Sequence, residues 1–332
     1  MIFSTLDASL FFNGSEAEQN QFVRDLMDGF DKHGLVKLRN HGVSAQSLIN
    51  TFDVSRQFFN LPPGVKMSVH HKGGASPARG YSPWSNEKTH KLRSSVEIPD
   101  AIDAREQFEM GSPTDHIFPT PWLPKSTIPT LRPTLESFYK ELGSTCHGLV
   151  TAIELGLHLP AGALTVRCRP ESSELRLNHY PSMPVAQLAD DTITRRIWPH
   201  TDTGIFSILF HDGADGLMLE DRQNAGQWLK VESEDVTEMV VIVANTLERW
   251  TNGLLRAGVH YVAAPWTSSD VAEDGATGGV APERFSTVLF HRPSASISVG
   301  PLPEFVSPER PAQFEDMTAL DYLKAENGRI FY

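Results

Sequence analysis

The stretch RRIWPHTDTGIFSILF, residues 195–210, carries one polar motif, His200-Thr201-Asp202, inside an otherwise apolar run. Residues two apart on a strand share a face, so this imidazole and this carboxylate can point into one cavity. The chain holds 13 His, and with its aspartates chance alone supplies about 0.7 His-x-Asp triplets. What surrounds the triplet therefore decides its meaning.

From residue 174 onward the chain is a series of short β-prone segments separated by turns: ELRLNHY, GIFSILF, GLMLE, QWLKV, MVVIVA, VHYVAA and FSTVLF. Regular short strands of this kind predict a sandwich or barrel. The first part reads differently. Ser15 and Glu18 stand at capping-box spacing, and Phe22, Val23, Leu26, Met27 and Phe30 recur at helical spacing until Gly34. LVKL reads as a short strand, and SAQSLINTFDVSRQFFN as a helix that ends before Pro62-Pro63. Residues 70–130 are rich in Gly, Pro and Ser and predict extended loops that cover something. Leu135, Phe138, Leu142, Cys146, Leu149, Ile153 and Leu157 form the stripe of one long helix, with Pro133 near its first turn. A last helix closes the chain within PAQFEDMTALDYLKAENG. The expected architecture is mainly β with flanking helices, a single catalytic domain over 1–332. Within it, 1–125 is an N-terminal helical and loop region, 126–170 supplies supporting helices, 171–300 is the β core, and 301–332 is a C-terminal segment.

Composition narrows the function. The 29 Lys and Arg against 41 Asp and Glu give a net charge of −12, with no long basic run. That argues against nucleic acid or an anionic membrane as the partner. Two cysteines, Cys146 and Cys168, make neither a disulfide framework nor a Cys-rich zinc site. No basic leader and no apolar run of roughly 18 residues is apparent. A cytoplasmic protein acting on a small molecule is the expectation.

The triplet needs a third ligand. His41 suits a turn, His70 and His71 lie in a polar loop, and His158 ends a helix, so all four read as structural. His260 sits in the β-prone NGLLRAGVHYVAAP after the turn signal TNG. Two ligands from one strand and a third from a later one make a 2-His-1-carboxylate set. On non-haem Fe(II) that set leaves three positions open, room for a bidentate co-substrate and dioxygen. Zinc accepts the same ligand types. In ERFSTVLF, Arg284 and Ser286 also share a strand face, and a guanidinium fork beside a hydroxyl suits a carboxylate. Arg176, Asn178 and Tyr180 form an unusually polar face for a barrel interior.

These residues resemble the Fe(II)/2-oxoglutarate-dependent dioxygenases of the isopenicillin N synthase-like branch. Six segments carry the resemblance, in order: GLVKLRNHGVS, LRLNHYPSMP, PHTDTGIFSILF, DGLMLEDRQNAGQWLKV, VANTLERWTNGLLRAGVHYV and RFSTVLFHRP. The resemblance implies a double-stranded β-helix, or jelly-roll, core. It makes His200, Asp202 and His260 the iron ligands, with Arg284 and Ser286 on the distal carboxylate of 2-oxoglutarate and Asn178 and Tyr180 helping to hold it. It implies oxidation of a small organic molecule by O2 with release of succinate and CO2, as in microbial tailoring of natural products. The sequence departs from the family pattern at Ala244-Asn245 and at Tyr261. It also carries a longer polar insertion at 266–282, expected to be a surface loop.

The substrate is the least legible part. Phe206, four residues after Asp202, shares its face by period two and reads equally as a substrate wall or a core Phe. Arg195 and Arg196 suit a pocket for an acidic or phenolic substrate, with a solvated strand end the stronger reading for at least one of them. Two other readings remain open on sequence alone. One is an oxidase of the isopenicillin N synthase type that uses no 2-oxoglutarate, and the other a non-catalytic small-molecule-binding barrel.

Overall fold

A computed structural model describes residues 3–92, 101–188, 193–264 and 279–331. Its centre is an eight-stranded sheet in the order Thr5–Asp7, Leu35–Arg39, Met239–Val243, Phe206–His211, Arg284–His291, Glu174–Tyr180, Glu106–Met110, Gly80–Ser82. Only the first pair is parallel. A four-stranded sheet in the order Trp228–Lys230, Leu217–Glu220, His260–Val262, Ile197–His200 covers one face. Both ends of the large sheet are strands of only three residues.

Alternation along Arg284–His291 shows which face is which. Phe285 and Leu289 join a cluster with Phe22, Leu26, Phe58, Leu135, Phe138 and Leu149 from the helices. Val288 and Phe290 instead meet Leu217 and Leu219 of the small sheet. Helices therefore cover one face, and the other face and the small sheet enclose a narrow interior.

The helices form where the sequence places them. The Glu16–Lys32 helix opens with the Ser15/Glu18 capping box, and Ser44 caps Ala45–Phe59 by accepting from the Ser47 N–H at 3.0 Å. The long Leu131–Gly156 helix buries its stripe from Leu135 to Ile153. Ala319–Ile330 closes the chain, its N-terminus capped by Thr318. No helix among the described residues is long and apolar enough to cross a membrane.

The N-terminal region is more than helices and loops. It contributes four of the eight strands, and the 70–130 segment contains Gly80–Ser82, Ile102–Asp103 and Glu106–Met110 rather than loops alone. Every residue of Glu106–Met110 is buried, including Glu106, Gln107 and Glu109. Burial on both faces removes the polar–apolar alternation by which a strand is recognised. Most of the 266–282 insertion lies outside the described residues, and its end forms the short strand Val280–Ala281.

Candidate metal centre and co-substrate site

Backbone register brings the three candidate ligands together. His260 is paired directly with His200 across the small sheet, with a bulge immediately beyond. The Nδ1 atoms of His200 and His260 meet the carbonyls of Trp198 at 2.8 Å and Gly258 at 3.0 Å. Each Nδ1 therefore carries the proton, and each Nε2 keeps a free lone pair. Those Nε2 atoms lie 3.6 and 3.7 Å from the two Asp202 oxygens, and the three ligand atoms all fall within 4.8 Å of one another. Burial, then the neighbouring His260, pushes His200 down to about 3. Burial alone would raise the Asp202 carboxyl, but the two imidazoles and Ser207 outweigh it and hold it low. Two imidazoles and a carboxylate converging on one point are the donor set a divalent metal requires.

Ser207, absent from the sequence reading, donates from Oγ to Asp202 Oδ2 at 2.5 Å. Its signal was available, since it is an inward residue of the strand that follows the ligand turn. Phe206 is a correction. Residues 203–205 form a bend between the strands and reset the alternation, so Phe206 belongs to the helix-side core, stacked on His291. Ser207 and Leu209 line the metal-facing interior instead.

Further along the interior, Arg284 pairs with Tyr180 and Ser286 with Asn178 across adjacent strands. Asn178 donates to Ser286 Oγ at 3.3 Å and accepts from Arg105 at 3.0 Å. Arg284 is fully buried, its Nε bonded to the Ala214 carbonyl at 3.0 Å. Its two terminal nitrogens have no partner. A buried guanidinium with its fork unfilled is costly unless an anion completes it. The residues present therefore fit both a metal and a carboxylate-bearing co-substrate.

Arg195 and Arg196 do not line the interior beside the ligands. The Arg195 guanidinium stacks on Trp198 at 4.6 Å and lies 5.8 Å from the Tyr261 ring. Arg196 turns toward the Tyr180–Arg284 end, where burial and Arg284 push it down to about 10. Arg176, expected on the polar inward face, lies beside the candidate ligands with Arg105, which the sequence did not single out, and both are tied to the buried Glu87. Burial would raise the Glu87 carboxyl, but these two guanidinia hold it low. At the departures from the family pattern, Asn245 donates to the Tyr322 hydroxyl and Tyr261 packs edge-on against Trp228.

Comparison with known proteins agrees with this geometry. Residues 172–293 match the profile of the 2OG-Fe(II) oxygenase superfamily, and residues 3–129 match that of the N-terminal region of the non-haem dioxygenase in morphine synthesis. The chain is 37% identical to the 2-oxoglutarate-dependent dioxygenase imqE of Aspergillus flavus, covering 98% of this chain and 94% of that one. It is 36% identical to the 2-oxoglutarate-dependent dioxygenase ecdK of Aspergillus rugulosus, over 98% and 99% of the two chains. A full-length Neurospora crassa protein solved in complex with alpha-KG superposes with a TM-score of 0.84 at 24% identity, covering 98% and 95%. A 2OG-Fe(II) oxygenase family protein from Caulobacter crescentus gives 0.77 at 25% identity, over 98% and 97%. The chain belongs to the 2OG-Fe(II) oxygenase superfamily. Within it, the activity is that of an Fe(II)/2-oxoglutarate-dependent dioxygenase with a jelly-roll core, and O2 is the oxidant.

Proposed function

We propose that His200, Asp202 and His260 hold the Fe(II), and that Arg284 and Ser286, with Asn178 and Tyr180, hold 2-oxoglutarate. The observation that carries this reading is a pair of unmet needs in one interior. Two free Nε2 lone pairs face a carboxylate, and a buried guanidinium fork has no acceptor. Bound there, the iron would couple oxidation of an organic substrate by O2 to conversion of 2-oxoglutarate to succinate and CO2. The protein's part is orientation: Trp198 and Gly258 fix the imidazoles, Ser207 fixes the carboxylate, and close packing keeps water from the centre.

The substrate is an uncharged small molecule with a largely apolar body, in keeping with natural-product tailoring in secondary metabolism. It occupies a chamber of about 360 Å³ bounded by Thr203 and Thr246, beside Asp202, and by Ala319, Leu320 and Leu323 of the last helix. Both guanidinia in its wall are paired, Glu174 with Arg79 and Arg292 and Asp115 with Arg79, while burial pushes the remaining carboxyl, Glu171, up. Guanidinia that are already paired, and a carboxyl whose ionisation burial opposes, disfavour an ionic guest.

The test is an anaerobic titration with Fe(II) and then 2-oxoglutarate, following the visible band of the chelate. His260→Ala should abolish the band, and Arg284→Met should shift it to much higher 2-oxoglutarate. In a substrate screen read by succinate release, Leu320→Trp should suppress substrate-stimulated release and leave the chelate band intact. A band that survives His260→Ala would overturn the ligand assignment.

A further inference from the structure

Arg196 is 1% exposed, and its guanidinium lies 5.8 Å from the Tyr180 ring, on which Arg284 also sits at 5.0 Å. One terminal nitrogen of Arg196 donates to the Pro282 carbonyl, while Nε and the other terminal nitrogen have no partner. Arg284 leaves both of its terminal nitrogens unfilled. Two buried guanidinia thus share one aromatic ring and present four donor atoms without acceptors. The nearby Asp212 does not fill them, because its carboxylate accepts from the backbone of Ala214 and Phe285. Like charges buried against one ring persist when an anion offsets them, and a carboxylate offers about four acceptor sites to such a pair.

We infer that Arg196 is a second anchoring guanidinium for the distal carboxylate of 2-oxoglutarate, acting with Arg284. This rests on the assignment of Arg284 to that carboxylate. The neighbouring Arg195 has no such role, since it stacks on Trp198 and Tyr261 outside this cluster. Two forks on one carboxylate select keto acids that carry a second acid group over those that do not.

The experiment compares 2-oxoglutarate with 2-oxobutanoate, which chelates iron through the same keto-acid end and has no distal carboxylate. Fe(II)-loaded wild type, Arg196→Met, Arg196→Lys and Arg284→Met are titrated anaerobically, and Kd is read from the chelate band. Arg196→Met should raise the 2-oxoglutarate Kd about 10- to 100-fold and leave the 2-oxobutanoate Kd unchanged. Arg196→Lys, which keeps the charge and loses the fork, should weaken 2-oxoglutarate alone by several-fold, and it carries the test if the Met variant fails to fold. An unchanged 2-oxoglutarate Kd in the Arg196 variants, with a loss in Arg284→Met, overturns the role of Arg196 and leaves Arg284 in place. Equal losses for both keto acids assign Arg196 a purely structural role and also overturn the inference. No loss in Arg284→Met removes the assignment on which the inference stands.

Discussion

Replacing Ser207 by Ala tests how much of the metal affinity depends on the carboxylate being held rather than merely present. The Ser207 hydroxyl and Asp202 are both buried, at 1% and 7% exposure, so no solvent takes over the bond when the hydroxyl is removed. A hydrogen bond to a buried charged acceptor contributes about 1.5–3 kcal/mol, and loss of such a supporting partner costs about 10- to 100-fold in metal affinity. Ser207→Ala should raise the Fe(II) Kd within that range, and Ser207→Thr, which keeps the hydroxyl, should recover most of it. Anaerobic titration with Co(II) as a spectroscopic stand-in gives the Kd directly, and circular dichroism verifies that the fold persists. The substitution removes one oxygen from a strand otherwise packed in the core, so the fold should tolerate it. A Kd for Ser207→Ala within twofold of wild type refutes the reasoning, because the two imidazoles alone would then suffice to orient Asp202.

Acid should weaken the metal-free protein through two histidines away from the ligands. Burial, with Arg284 beside it, pushes His211 down to about 4, and burial pushes His291 down to about 3. Below pH about 6.5 the unfolded chain takes up these protons while the folded chain does not, so stability falls as the pH drops toward 4, by up to on the order of 3 kcal/mol per histidine. Urea midpoints at pH 7 and pH 5 measure this, and equal midpoints would contradict it. The thiols should be inert: burial pushes Cys146 well up and Cys168 up to about 12. A disulfide reagent at pH 8 should titrate neither thiol in the native protein and both in denaturant; rapid native reaction of either would refute the burial argument.

The β core was legible because each of its segments puts apolar residues on one face over a few positions, and all seven β-prone segments after residue 174 contain strands. The meeting of His200, Asp202 and His260 was legible because the two histidines lie on strands and Asp202 just beyond the end of one. Where the reading failed, the cause was non-local. Glu106 is matched by Lys66 and His179, and Glu109 by Arg176, so a strand of charged residues is buried by partners far away in the chain. No local pattern announces such a strand. Phe206 was misassigned because a three-residue bend shifts the alternation, an effect of geometry that periodicity alone does not register. Arg196 looked like a substrate residue because the sequence places it beside the ligands but does not say toward which end of the interior it turns.

The three-residue strands at the two margins of the large sheet bear on the protein's solubility. A long margin with unpaired amides is a template on which another chain can add. Thr5–Asp7 occupies that position beside Leu35–Arg39, pairing at Lys37, Leu38 and Arg39. Deleting Phe3–Asp7 would uncover the five-residue margin Leu35–Arg39 over an apolar core and create a site for self-association, although the residues proposed to hold iron and co-substrate would be intact. For anyone trimming the chain for expression, the first few residues matter as a guard against aggregation.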